Sequence, residues 1–225
     1  MVRYGMCGRF VRSSSVKEIA EYFDLEKPSF EMEPSYNIAP SQDIIIINNR
    51  GQKQLVKYHW GFVPSWSKDF SVGYSMINAR SETVAEKPSF KSAFRKQRCL
   101  VIANGFYEWQ RDRQRKVPVY IRMKSGRPFA FGGLYSVWTS PEGQNICTCT
   151  VLTTESNDLL SPIHDRMPVI IPRDKETLWL DPAVDDVETL KGLLKSFPSG
   201  EMELVRVSDR VNSPRYNSPD NIIPA

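Results

Sequence analysis

Residues 99–153 read CLVIANGFYEWQRDRQRKVPVYIRMKSGRPFAFGGLYSVWTSPEGQNICTCTVLT. Four runs rich in β-branched and aromatic residues stand out in this stretch: Cys99 to Trp109, Val117 to Met123, Phe129 to Val137 and Ile146 to Thr153. Glycines and charged turns separate them, which marks each run as a strand. The gaps are too short for crossover helices, so the strands belong to an antiparallel or mixed curved sheet and not to repeated βαβ units. The expected class is α+β: a single domain with a curved mixed or antiparallel, barrel-like β core flanked by short helices.

Working outward, Asp43 to Asn48 and Gln54 to Trp60 read as two further strands joined by a turn at Asn48-Asn49-Arg50-Gly51. Ahead of them, Ser14 or Ser15 can cap a helix whose apolar face carries Val16, Ile19, Ala20 and Phe23. The segment PSYNIAPSQ (Pro34 to Gln42) is expected to be a loop, as is Gly61 to Trp66. Ser81 to Arg95 reads as two short helices broken at Pro88. Downstream come a proline-flanked loop (Ser161 to Pro168), a short strand, a helix from about Val187 to Phe197, a last strand (Glu203 to Val207) and a polar tail. There is no internal repeat.

With 225 residues and 40% hydrophobic content the chain can bury a core. Its 30 basic and 26 acidic residues leave a formal net charge of +4, too small to reveal a nucleic-acid partner. If one binds, positive charge must gather on one face. No apolar run approaches the roughly 20 residues of a membrane helix, and MVRYGMCGRF lacks the apolar stretch of a signal peptide. A cytoplasmic protein with reduced thiols and no membrane partner is therefore expected. Cys147 and Cys149, two apart in a strand, share a face; with no further ligands at zinc spacing they read as core thiols.

Polar residues interrupt apolar segments at Cys7-Gly8-Arg9-Phe10, Ile77-Asn78-Ala79-Arg80, Asn104 to Trp109, and Ile163 to Pro168. Glu108, between aromatics, is either solvent-facing by alternation or a buried acid; the pattern favours the solvent-facing position. His164 sits in a loop of the kind that carries catalytic residues, although the pattern alone favours an ordinary loop histidine. His59 reads as structural. Asn78 can cap a helix near Ser81, and Arg80 can pair with Glu82. Together Cys, His, Asn and Glu make an inventory compatible with a cysteine-centred site.

Eight strings then take on meaning in order: MCGRF (Met6 to Phe10), YNIAPSQ (Tyr36 to Gln42), WGFVPSW (Trp60 to Trp66), INARSET (Ile77 to Thr83), GFYEW (Gly105 to Trp109), LTT (Leu152 to Thr154), IHDRMPVI (Ile163 to Ile170) and VNSP (Val211 to Pro214). This chain resembles the SRAP family, the SOS-response-associated peptidases that act as abasic-site sensors. The resemblance divides the chain into an extension at 1–5, an SRAP-like domain over 6–218 and a tail at 219–225. It implies a partner: single-stranded DNA holding an abasic site, or its junction with duplex. It also implies a covalent thiazolidine crosslink between an N-terminal cysteine and the sugar aldehyde, with weak lyase side activity. By position the implied catalytic set is Cys7, Asn78, Glu108 and His164. The implied DNA groove is lined by Arg9, Asn37, Trp66, Arg80, Trp109, Thr153 and Arg166. No metal or organic cofactor is implied, and a monomer is expected.

A thiazolidine needs a free α-amine and a thiol on adjacent carbons, which only an N-terminal cysteine offers. Family chains usually begin Met-Cys, whereas MVRYG precedes Met6 here. Either translation starts at Met6, or the family's self-processing activity cuts between Met6 and Cys7. Two other activities fit the same residues: a thiol peptidase acting on proteins, and a non-covalent single-strand binder.

Overall fold

The computed structural model describes residues 8–112 and 115–225; Cys7 and the extension before it lie outside the described residues. In chain order the strands are β1 (Phe10–Arg12), β2 (Ser35–Ile38), β3 (Asp43–Asn49), β4 (Lys53–Trp60), β5 (Asn78–Arg80), β6 (Arg98–Ala103), β7 (Gly105–Asp112), β8 (Arg115–Met123), β9 (Phe129–Thr139), β10 (Asn145–Glu155), β11 (Arg166–Pro168) and β12 (Met202–Arg206). The helices are α1 (Val16–Tyr22), α2 (Lys91–Lys96), α3 (Glu176–Leu180) and α4 (Val187–Lys191). Ser15 caps α1 through a reciprocal pair with Glu18, which satisfies two end groups of a helix only seven residues long.

Among the described residues, β10, β4, β3, β6 and β9 pair in that order, and β9 pairs back onto β10. Five strands thus close into a barrel, antiparallel at every pairing except the parallel β10–β4. A second sheet, in the order β12-β8-β7-β1-β2, is antiparallel throughout. The curved, mixed β core flanked by short helices is the architecture expected from the sequence.

The isoleucine run of β3 is apolar at every position because both its faces are covered. Ile44 and Ile46 join the core shared by the barrel interior and the second sheet. Ile45 and Ile47 join the core beneath the helices. The same alternation sends Cys99, Val101 and Ala103 of β6 inward and Leu100 and Ile102 outward. Phe10 and Phe106 of the second sheet meet Phe131 of the barrel edge-on, with ring centroids 5.9 Å apart in both pairs. Buried Arg98 ties the helices to the barrel by donating to the carbonyls of Phe94 (3.0 Å), Trp179 (2.6 Å) and Val184 (2.9 Å).

The expected single strand Cys99 to Trp109 is two strands in two sheets. Asn104 breaks it: its backbone N–H donates to Val11 (2.7 Å), and its side chain bonds both the backbone N–H and the hydroxyl of Ser14. Gly105 then passes beneath Tyr120, whose hydroxyl donates to the Asn104 carbonyl at 3.1 Å. A Cβ on Gly105 would stand 2.3 Å from the Tyr120 ring. Gly105→Ala is therefore expected to cost roughly 1–3 kcal/mol by overpacking. Urea unfolding should show a lower midpoint at unchanged slope; an unchanged midpoint would mean that the ring moves aside freely.

Other elements also differ from expectation. Ser35–Ile38, inside the expected loop, forms strand β2 because β1 offers it an edge. Residues 81–90 are turns, and α2 begins only at Lys91. Helix α4 stops at Lys191, with Gly192 as its cap residue.

Candidate functional site

The length of β10 organises the site. Its first part lies in the barrel, with Thr148 and Cys149 opposite His59 and Trp60 of β4. Beyond that point β5 takes the place of β4, setting Asn78, Ala79 and Arg80 beside Val151, Leu152 and Thr153. On the other side β9 ends its pairing at Gly133, opposite Val151, and β11 continues with Pro168 opposite Thr153 and Arg166 opposite Glu155. Three segments distant in sequence thereby converge on the last turn-free residues of one strand.

Side-chain direction follows from the register. Leu152 and Ala79 enter the core beneath the helices, whereas Val151 enters the core facing the second sheet. Asn78, directly opposite Val151, shares its face. On the second sheet Phe106 points into that same core, and two residues on, Glu108 follows it by strand alternation. Glu108 is only 5% exposed, so the solvent-facing position suggested by the sequence pattern is overturned. Its alternation faces the barrel, not water.

Arg166 is buried and forks onto Glu82, with distances of 2.5 and 2.9 Å, while also donating to the Thr153 carbonyl at 2.7 Å. This pairing replaces the Arg80–Glu82 pair that the sequence suggested. The Arg166 guanidinium holds the Glu82 carboxyl below its usual range. The stabilisation is present near neutral pH and fades as pH falls through that depressed value. Arg80 stays exposed beside Thr153. Just before β11, His164 Nδ1 accepts the Arg166 backbone N–H at 3.0 Å. The Asp165 carboxylate lies 2.9 Å from the same Nδ1.

A second group gathers on the outer face of β7. Arg9 donates to Asn37 Oδ1 at 2.7 Å and to the Val211 carbonyl at 2.9 Å, and its guanidinium lies 6.0 Å from the centre of the Trp109 ring. Asn37, fully buried, donates to the carbonyls of Val211, Ser213 and Tyr216. Trp109 Nε1 donates to Asn212 at 2.7 Å. Arg9 and Asn37 thus clamp the segment that begins with Val211. Trp66 stands on the loop after β4 with 67% of its surface exposed, open to a planar partner.

Among the described thiols, Cys99 and Cys149 line the barrel interior, and burial pushes both up. A thiolate is suppressed there, so neither is a nucleophile near neutral pH. For Glu82 and Asn104, both visible in the sequence, the partners were missed: Glu82 pairs with Arg166 across 84 positions and Asn104 with Ser14 across 90, separations no local pattern encodes.

A closed, mixed barrel backed by an antiparallel sheet, with polar groups at the end of β10 and on β7, defines the class. The family model described as SOS response associated peptidase (SRAP) matches residues 6–214, and the chain belongs to this family. The abasic site processing protein YoqW of Bacillus subtilis (strain 168) is 47% identical over 221 residues, covering 96% of this chain and 99% of that relative. The abasic site processing protein HMCES of Xenopus tropicalis is 31% identical over 224 residues, covering 85% of this chain and 66% of its own length. A crystal structure of a protein from Bacteroides thetaiotaomicron superposes with a TM-score of 0.87 at 26% identity, covering 97% of this chain and all of that one.

Proposed function

We propose that this protein processes abasic sites in DNA, and that it does so by a covalent bond through Cys7 once Cys7 is the first residue. The names of the relatives from Bacillus subtilis and Xenopus tropicalis support the substrate. The observation that carries the chemistry is Glu108, a carboxylate 5% exposed on the strand that pairs with the N-terminal one. Phe10 faces Phe106, Val11 faces Gly105, and the Arg9 carbonyl accepts the Tyr107 N–H at 3.0 Å. That register runs toward Glu108 as the chain runs back toward its start.

The α-amine of a terminal Cys7, with a pKa near ~7.7–8.0, is partly neutral at physiological pH. It adds to the aldehyde of the ring-opened sugar, and loss of one water gives an imine. The thiol then adds to the same carbon, closing a five-membered ring in an intramolecular step that proximity favours. Glu108 moves the protons that amine, carbinolamine and imine exchange. His164, through Nε2, serves the sugar oxygen as the ring opens, and Asn78 holds the sugar by hydrogen bonds. Exposed Arg80 meets a flanking phosphate beside Thr153, while buried Arg166, held by Glu82, fixes the end of β10 against β11; Trp66 and Trp109 stack on exposed bases. Arg9 and Asn37 shape the groove by holding the segment after Val211. The imine also acidifies the adjacent sugar carbon, which gives weak strand cleavage by β-elimination. The family description as a peptidase favours the same residues for release of Cys7 by cleavage after Met6.

A protein verified by intact mass to begin at Cys7, incubated with a single-stranded oligonucleotide holding one abasic site, is expected to give a shifted band that survives SDS. Absence of that band, with binding intact, would leave a non-covalent binder and overturn the proposal.

A further inference from the structure

The hairpin of β7 and β8 outruns its neighbours. β1 pairs with β7 only at Gly105 and Phe106, with one further backbone bond at Tyr107. On the other side β12 pairs along β8 as far as Val119, with one further backbone bond from Val207 to the Pro118 carbonyl at 3.2 Å. From Gln110 and Val117 outward the two strands pair only with each other, and they stand free of the sheet. A two-stranded ribbon without flanking strands has little stability of its own.

This arm is basic. Arg111, Arg115 and Lys116 are all exposed, and none of them makes an ion pair among the described residues. Arg111 stands directly opposite Lys116. Like charges so placed repel across the ribbon and destabilise it, and an anion between them relieves that cost. The one acidic residue described on the arm, Asp112, leans toward Arg206 at 4.0 Å. Arg111 and Lys116 share the face of Trp109, opposite Pro118. Arg111 lies two residues beyond Trp109, or roughly 7 Å along the strand. Two exposed cations therefore stand on the face of Trp109, just beyond it.

We infer that this hairpin is a backbone-gripping arm: Arg111 and Lys116 hold phosphates of the DNA strand that flanks the base stacked on Trp109. The arm reads no sequence and adds affinity by counterion release. It rests on the DNA-processing reading above and extends it to the flanking strand.

The test is the salt dependence of binding to a single-stranded oligonucleotide with no abasic site, for the wild type and for Arg111→Gln/Lys116→Gln. Loss of two phosphate contacts should lower the slope of log affinity against log salt by about 1.4, with affinity at low salt falling about tenfold or more. A control that neutralises Lys191 and Lys195, at and beyond the end of α4, removes equal charge and should leave the slope unchanged. An unchanged slope in the arm variant, or an equal drop in the control, overturns the inference. Adduct yield with saturating abasic oligonucleotide reports separately on the covalent chemistry. Wild-type binding without adduct sinks the covalent reading and leaves the slope comparison decisive for the arm; adduct with an unchanged slope sinks the arm alone. Thermal unfolding confirms the variant's fold, and removal of the cross-strand repulsion should not lower its midpoint.

Discussion

Glu108→Gln is expected to slow adduct formation by about 10²-fold or more while leaving DNA affinity within a few-fold of wild type. Glutamine keeps the length and planarity of the side chain in its buried place on β7, but it cannot accept and return a proton at neutral pH. Positioned proton transfer is worth typically ~10²–10⁴ in rate. Imine formation needs several such transfers, and little water reaches a side chain 5% exposed to serve as a substitute. Single-turnover rates at saturating abasic oligonucleotide separate this effect from binding. A rate equal to wild type would remove Glu108 from the chemistry and leave it as a packing residue.

The second large effect concerns the start of the chain. A protein that retains Met6 is expected to form no adduct, although it binds the same DNA. The nitrogen of Cys7 is then part of a peptide bond whose lone pair is delocalised into the carbonyl. It cannot form the imine, and a thiol alone gives only a reversible hemithioacetal. Cys7→Ser in a chain beginning at residue 7 separates the two steps. The amine remains, so borohydride should trap an imine; the weaker hydroxyl nucleophile should leave the unreduced adduct labile. Intact mass of both forms, before and after incubation with abasic oligonucleotide, checks these outcomes. A stable adduct on the Met6-retaining chain would contradict the role given to the α-amine.

The fold class was legible because the strands are short, closely spaced and rich in β-branched residues. The double-sided burial of the isoleucines in β3 was also implicit in an unbroken apolar run. Sheet membership was not legible. Cys99 to Trp109 reads as one strand, since the break at Asn104 depends on Val11 and Ser14, some 90 positions away. Strand β2 escaped detection in a proline-bounded segment because its partner edge is tertiary. Glu108 was misread for a related reason: alternation tells which residues share a face but not which face is covered. The motif strings named candidate site residues without showing how they assemble. The meeting of Asn78, Arg80, Thr153 and Arg166 depends on the parallel pairing of β5 with β10 and on the replacement of β9 by β11. Both are long-range events with no local signature. The Arg166–Glu82 pair, spanning 84 positions, belongs with them.

The most direct test of the central claim is the location of the bond. Adduct formed by a chain beginning at Cys7 is digested with nuclease and trypsin, treated with a thiol alkylating reagent and read by mass spectrometry. A thiazolidine predicts a sugar remnant on the peptide Cys7-Gly8-Arg9, with one water lost in the condensation and a cysteine that resists alkylation. A remnant on a lysine, or one on Cys7 whose thiol still alkylates, would contradict the account.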